Sequence, residues 1–470
     1  MPINVGIFFG GQSREREVSF AGGRTVYDHL DRKIFAPVPI FVDSLGNFIL
    51  LHPQYLYQGT IREFYPSAAV ANFEGIPLYI ESLPATESHT LFIKKIGKKI
   101  EPADFSKYFD VAFLCLHGPY GEDGALQGLL EWYQIPYTGS GILPAALGID
   151  KIFQQKLLQQ AGFLVPPSML LTQKEWRNRA DTNKLLDQVI AAVGLPFVVK
   201  SSRQGSSIGV TIVHQHDPHA FTAAVHKAFF METISYDSWK SHTPADQKAW
   251  FNRLIDPREG IGFPLLVADQ VFYTPHALLD YLTLYFQKHQ EPILLTSTQA
   301  EAVIIIEAFI EGREFSCIVL EAEQDHPIAL LPTEMHKGKL HFDYRAKYLP
   351  GIVRKQTPMV LSPPLLDAIR KQVIALFQLL DCQVYARIDG FITPKNEIIL
   401  NDPNTTAGMH PASFLFHQAA EIGLHPTQLL TFIIKRSLEV RRDKGHLIAG
   451  SLLKRLEASL CSPSPINVSR

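Results

Sequence analysis

The segment ARIDGFITPKNEIILNDPNTTAGM, residues 386–409, decides how the chain is read. It has the pattern of a hairpin: RIDGFI as one strand, a Pro-Lys-Asn turn, then the apolar run Ile398-Ile399-Leu400 ending in a polar cluster. Closing at the turn brings Asp389, near the start of the first strand, towards Asp402 and Asn404, which are expected just beyond the second. Carboxylate and amide oxygens together suit a hard divalent cation such as Mg²⁺, which leaves room for phosphate. Arg387, two residues before Asp389, shares its face of the strand and adds a fixed positive charge. A surface hairpin with scattered charges has the same pattern, so the neighbouring segments must decide.

Upstream lie the parts a nucleotide site needs. In PFVVKSSRQGSSIGV, residues 196–210, a buried strand ends at Lys200 and feeds a Ser/Gly-rich loop containing Ser206 and Gly209. A loop rich in N–H and hydroxyl donors beside a strand lysine fits a polyphosphate, although the P-loop order is absent. VIIIEAFIEGREFSCIVLE, from Val303, reads as two strands about a turn at Gly312, with Glu307 closing the first and Glu314 opening the second. Apolar residues flanked by an acceptor fit adenine and ribose, Glu314 accepting from the ribose hydroxyls. Asp150-Lys151 opens a helix, and another from about Leu365 leads into the hairpin. HFDYRAKYLPG, residues 341–351, is a polar, aromatic loop of the kind that acts as a lid, with Tyr344, Lys347 and Tyr348 exposed unless it closes.

At the N-terminus INVGIFF is a buried strand, followed by Gly10-Gly11 and a helical pattern after Ser13, with Glu15 and Glu17 at the helix entrance. The acidic pair is equally explained by compensation of the helix dipole. The glycines do not complete GxGxxG, which removes support for a dehydrogenase. The stretch 44–107 reads as a meandering β excursion of no chemical consequence. Val111–Leu116 restores a buried strand and runs into His117, a Gly-Glu-Asp-Gly turn and a helix from Ala125. Such an open α/β sheet takes ligands at the carboxyl ends of its strands, where His117 and Glu122 fall. Residues 233–302 carry no legible motif and are expected to be a packed insertion. Two helices separated by Gly423 and Pro426, a helical segment and a polar tail follow the hairpin.

Length and composition bound the alternatives. A chain of 470 residues suggests two to four domains. With 46% hydrophobic and 19% charged residues and a net charge of −2, nothing favours nucleic acid or an anionic membrane as partner. Four cysteines without CxxC spacing suggest free thiols in a reducing cytoplasm, and neither a signal peptide nor a membrane span is expected.

Taken together, GGQSREREVS, CLHGPYGEDGALQGLLEWYQIPYTGSG, Asp150-Lys151, VVKSSRQGSSIGV, IIIEAFIEGREFS, DYRAKY, and RIDG with NDPNTTAGM resemble, in order, the blocks of the D-alanine–D-alanine ligases of the ATP-grasp superfamily. The resemblance implies a three-domain ATP-grasp fold, α/β in class: an N-terminal open α/β substrate domain (1–141), a central domain (142–306, with the insertion near 233–302) and a C-terminal catalytic domain with an extension (307–470). It implies that Lys151 and Lys200 reach the phosphates of ATP, Glu307 and the Ile310 backbone the adenine, and Glu314 the ribose. Asp389, Asp402 and Asn404 would hold two Mg²⁺ or Mn²⁺ ions. Glu15, bonded with Ser206 and Tyr348, would receive the ammonium of the first D-alanine, with His117 and Glu122 lining that side. Arg387 and the Gly408 N–H would be oxyanion donors, Lys347 a phosphate contact, and Ser413 a partner of the second substrate's carboxylate. A cytoplasmic homodimer making a cell-wall precursor is the implied setting.

The chain departs from the family at several points. Asp402 stands where Glu is usual and is followed by Pro403, Ala407 replaces Pro, Ser201 replaces Pro, and Ala308-Phe309 replaces the commoner Lys-Trp. These leave room for a ligase of another amino or hydroxy acid, or for a nucleotide-binding homologue without turnover. Tyr348 favours an amino acid over a hydroxy acid, and retention of Glu15, Lys200, Arg387, Asp389 and Asn404 favours turnover.

Overall fold

The computed structural model describes residues 2–67, 69–83, 87–323, 326–337 and 353–461. Strand Ile3–Gly10 is buried along nearly its whole length because Phe35–Val42 and Val111–Leu114 flank it in parallel and leave no edge to water. The sheet order is Gly97–Ile100, Phe48–Leu51, Phe35–Val42, Ile3–Gly10, Val111–Leu114. The chain starts in the interior and adds strands on both sides, so a crevice opens at the carboxyl ends of Ile3–Gly10 and Val111–Leu114. The turn before helix Arg16–His29 and the loop at His117 both emerge there.

Residues 44–107 are not a β meander. Phe48–Leu51 and Gly97–Ile100 extend the first sheet antiparallel, but helical turns at Pro53–Tyr57, Ile61–Phe64 and Ile80–Ser82 and a helix Glu87–Ile96 lie between them. Scattered Gly and Pro masked this locally. The organising force is burial: Leu56, Phe64 and Ile80 enter the N-terminal core, while Ala71, Phe73 and Leu78 enter the core of the insertion.

A second sheet, Thr211–Val213, Phe197–Ser201, Val303–Ala308, Ser168–Thr172, is antiparallel throughout. Residues 231–297 build a further antiparallel sheet, Met231–Ile234, Ile293–Ser297, Leu265–Val267, Gln270–Phe272, with helices Pro244–Ile255 and Pro275–Lys288 supplying Phe251, Leu254, Leu278 and Leu282 to its core.

Among the described residues the largest sheet, of six strands, has the order Val353–Gln356, Thr333–Lys337, Arg313–Glu323, Tyr385–Ile392, Ile398–Asn404, with His326–Ala329 paired to Arg313–Glu323. Helix Pro363–Leu379 presses Ile369, Val373 and Phe377 into it. Helices Phe414–Glu421, Pro426–Asp443 and Leu447–Cys461 follow, and Leu415, Leu430, Ile433 and Leu452 join the core under the first sheet. The second hairpin strand does not stop at Leu400. Pairing with residues 387–389 carries it through the polar run to Asn404. Cys115, Cys317 and Cys382 are buried free thiols, and no described helix is long and apolar enough to cross a membrane.

Candidate active site

The hairpin holds a β-bulge at its functional end. Arg387 pairs with Asn404, Ile388 with Pro403 and Asp389 with Asn401, leaving Asp402 as the extra residue, at φ +45°. Residues three apart in an unbroken ladder point to opposite faces; the bulge absorbs the odd step and puts Asn401 and Asn404 on the face of Arg387 and Asp389. Arg387 grips Asp389 with two parallel bonds, Nε to Oδ1 at 3.1 Å and Nη2 to Oδ2 at 3.0 Å, and the buried Ser316 hydroxyl donates to Oδ1 at 2.7 Å. Asn404 Nδ2 donates to the Asp402 carbonyl at 2.6 Å, and Asn401 Nδ2 to Asp402 Oδ2 at 3.3 Å. Among the described residues no three His, Cys, Asp or Glu side chains form a metal cluster. The donors that the hairpin itself turns into this cleft are two carboxylates, Asp389 and Asp402, and two amides, Asn401 and Asn404. An all-oxygen set of low charge fits Mg²⁺ or Mn²⁺ bound jointly with a phosphate, and fits a soft metal poorly.

Opposite the hairpin lies the slot of the second sheet. Lys200 and Glu307 sit diagonally across adjacent strands and form a buried ion pair at 2.5 Å, so the Glu307 carboxylate is occupied by the lysine. Burial alone would lower the Lys200 pKa, but Glu307 and Asp402 outweigh it and raise it, keeping the ammonium charged. Lys151 reaches across from its helix to Asp402 Oδ1 at 3.3 Å and to the Gln204 carbonyl at 2.9 Å. Val198, Val210, Ile212, Phe309 and Phe391 give the slot apolar walls, with Ile310 and Glu314 at its edge.

Glu15 occupies the third corner. It is 5% exposed, and its Oε1 accepts a hydrogen bond from the Ser206 hydroxyl. Two glycines make room for it. A Cβ on Gly205 would lie 2.6 Å from Glu15 Oε2, and one on Gly118, whose φ is +69°, would lie 3.2 Å from the same atom. Ser206 and Ser207 adopt left-handed backbone, at φ +51° and +58°, as residues held in place by their surroundings do. Burial pushes the Glu15 carboxyl above its ordinary pKa, the nearby Glu122 adding to this while His117, Ser206 and Lys151 pull it back. His117 Nδ1 lies 3.3 Å from Glu122 Oε2; the carboxylates of Glu122 and Glu15 raise its pKa against the lowering effect of burial. Glu15 Oε2 and His117 Nε2 are buried without a hydrogen-bond partner among the described residues.

The slot and this corner are two cavities that share Glu122, Ser206, Arg387 and Asn404. Lys151, Lys200, Glu307, Ile310, Glu314, Asp389 and Asp402 line the first, and Glu15, His117, Gly408 and Ser413 the second. Ser413 caps helix Phe414–Glu421. Lys347 and Tyr348 lie outside the described residues. Sequence reasoning missed Asn401, Gln204, Lys355 and His410, which also line these cavities. Strict alternation assigns Asn401 to the wrong face, and only the bulge recovers it. Burial, Lys355 and His117 pull the His410 pKa down to about 4, so its imidazole is neutral near pH 7.

Comparison with known proteins agrees with this architecture. A model of the D-ala D-ala ligase N-terminus matches residues 4–140, and one of the D-ala D-ala ligase C-terminus matches 157–234 and 287–435, leaving 235–286 unmatched between its two parts. The chain is 27% identical over 448 residues to a D-alanine–D-alanine ligase of Geobacillus thermodenitrificans, covering 94% of this chain and 98% of that protein. It is 28% identical over 440 residues to one of Nocardia farcinica, covering 93% and 97%. Among solved structures, the D-alanine-D-alanine ligase of Coxiella burnetii superposes with a TM-score of 0.60 at 21% identity, over 96% of this chain and 99% of that one. The VanG D-Ala:D-Ser ligase of Enterococcus faecalis gives 0.60 at 22%, over 93% and 100%. These two likenesses show the fold.

Proposed function

The chain belongs to the D-alanine–D-alanine ligase family, and from that premise we propose that it joins two D-alanines at the expense of ATP, through an acyl phosphate, to supply a peptidoglycan precursor. The observation that carries the reading is the shared wall: a slot with two lysines, apolar sides and oxygen donors opens, past Arg387 and Ser206, into a corner holding a buried carboxylate.

Joining a carboxylate to an amine in water requires an activated carboxylate. ATP lies in the slot, its phosphates on Lys151 and Lys200, its ribose near Glu314, and its adenine against the apolar walls by Ile310. The Glu15 Oε2 atom, buried and unpartnered, accepts the ammonium of the first D-alanine, which fixes that molecule's carboxylate at the junction of the two cavities. That carboxylate attacks the γ-phosphorus and ADP leaves. Asp389, Asp402 and the Asn404 amide would hold two Mg²⁺ or Mn²⁺ ions, which supply charge neutralisation on the transferring phosphate. The second D-alanine, its carboxylate at the Ser413 helix N-terminus, attacks the acyl carbon as the free amine. The C–O bond to phosphate then breaks, inorganic phosphate leaves, and the amine gives up its proton. Arg387 and the Gly408 N–H face the oxyanion of the tetrahedral step, where one such donor contributes about 3–4 kcal/mol. The Asp389 clasp keeps the guanidinium oriented before substrate arrives.

A ligase of another acceptor is the second reading, favoured by Lys355 and His410, whose side chains line the corner beside Ser413. One experiment separates the two. The purified protein is incubated with ATP, Mg²⁺ and a panel of D- and L-amino acids and D-hydroxy acids, and phosphate and condensed product are measured. D-alanyl-D-alanine as the main product supports the first reading, a mixed product supports the second, and no phosphate release with any acid refutes both. Light scattering of the same sample tests the homodimer that belongs to this reading.

A further inference from the structure

The two residues beside Glu15 are both arginines, and each is buried in a segment that the proposed chemistry leaves without a role. Arg14 is 3% exposed and enters residues 233–302. Its Nη1 donates to the Pro257 carbonyl at 2.5 Å and to that of Gly260 at 3.4 Å; its Nη2 donates to the Ile261 carbonyl at 3.0 Å and to Ser297 Oγ at 2.9 Å. The guanidinium lies 3.7 Å from the centre of the Phe230 ring. Arg16 points the other way, into residues 44–107, where it pairs with Glu81 and lies 4.6 Å over the Tyr79 ring. Its remaining donors hold the turn itself, at the Ser13 and Gln12 carbonyls, both at 2.9 Å. Glu15 is therefore the middle of three residues whose outer two are anchored.

The end of residues 233–302, past the unmatched stretch, holds Glu15's partner as well. Glu301, 8% exposed, accepts from Ser202 Oγ at 3.0 Å and from Gln204 Nε2 at 3.1 Å. Those residues lead directly into Gly205, which cradles the Glu15 carboxylate, and Ser206, which donates to it. Residues 233–302 thus bind the N-terminal turn through Arg14 and the glycine loop through Glu301, although turn and loop are nearly two hundred residues apart. Residues 44–107 support it from behind, since Phe73 packs on Phe251 with ring centres 5.0 Å apart.

We propose that residues 233–302 are a brace for the substrate corner, with Arg14 and Glu301 as positioning residues that hold Glu15 and Ser206 in register. This rests on reading Glu15 and Ser206 as the amino-group site. Neither positioning residue touches substrate in this account. Each fixes the backbone from which a substrate-binding side chain projects, and a guanidinium suits the task because its planar fork reaches several carbonyls at once. Lysine, with one ammonium, cannot span them.

The test uses the full chain and two readouts. Amide hydrogen exchange is compared for wild type, Arg14→Met, Arg14→Lys and Glu301→Gln. The brace requires exchange at least tenfold faster across 11–18 and 202–208 in Arg14→Met, faster across 202–208 alone in Glu301→Gln, and unchanged across 313–323. Should Arg14→Met fail to fold, Arg14→Lys gives the same pattern in weaker form. In steady-state assays the KM of the first amino acid rises at least tenfold while that for ATP stays within twofold. Wild-type exchange rates in both segments, or KM values for amino acid and ATP that rise together, overturn the brace. Absence of dipeptide from the wild type would instead overturn the proposed function, while the exchange readout, needing no substrate, still decides the brace.

Discussion

Replacing Gly205 by alanine perturbs the site by one methyl group at a known place. The new Cβ would stand 2.6 Å from Glu15 Oε2 and 2.9 Å from Oε1, where ordinary contact begins at about 3.4 Å. The carboxylate must therefore retreat by roughly 0.8 Å, and the hydrogen bond from Ser206 must stretch or break with it. The backbone at Gly205 has no positive φ, so alanine itself is not strained there, and the clash falls on the end of a side chain rather than on the main chain. Global stability should change little, with melting within about 3 °C of wild type, well under the shift of a core cavity. Catalysis should not be spared: a misplacement of about 1 Å costs on the order of 10²-fold, or about 2.7 kcal/mol of transition-state stabilisation. The assay is kcat/KM for the first amino acid at saturating ATP and Mg²⁺. Shortening the acid by one methylene, in Gly205→Ala/Glu15→Asp, should relieve the clash, so the double variant should be better than the product of the two single losses by at least 1 kcal/mol. A Gly205→Ala enzyme within twofold of wild type, or strictly additive losses, would refute the claim that Glu15 works from this cradle.

Three further outcomes follow from the same geometry. Asp402→Asn keeps the size of the side chain and removes its charge, so the Mg²⁺ concentration giving half-maximal phosphate release should rise at least tenfold; an unchanged Mg²⁺ dependence removes Asp402 from the metal site. Glu15 must be ionised to hold an ammonium, and burial raises its pKa, so kcat/KM should fall on the acid side at a pH above the ordinary carboxylate range. The Ser206 hydroxyl lowers that pKa by bonding the carboxylate, so Ser206→Ala should move the acid limb to higher pH; a limb that stays put or moves down contradicts the assignment.

Local sequence carried the family and most of the candidate groups that line the two cavities. Lys200 and Glu307 could be picked out because each closes a short apolar strand, Arg387 and Asp389 because they share one face of a hairpin strand, and Glu15 because it stands at a helix entrance; the face of a side chain within a regular strand follows from alternation alone. Alternation fails where the ladder is irregular, and there the sequence misled: it ended the second hairpin strand at Leu400 and gave no reason to include Asn401. The bulge at Asp402 is set by how residues 401–404 pair with 387–389, a contact between strands that no local pattern records.

The tertiary structure alone decided what the two silent segments are. Residues 44–107 look uninformative because their apolar residues are spaced for two cores at once, some facing the first sheet and some facing residues 233–302, whose own apolar residues gather in that second core. Their ties to the site are made by long side chains crossing between distant segments, Arg16 to Glu81, Arg14 to Pro257 and Gln204 to Glu301. The sequence determines which groups the chain carries and which short elements present them. Which groups meet is fixed only when burial of apolar surface brings the sheets together, because hydrogen bonds between remote residues depend on positions that packing, and not local spacing, sets.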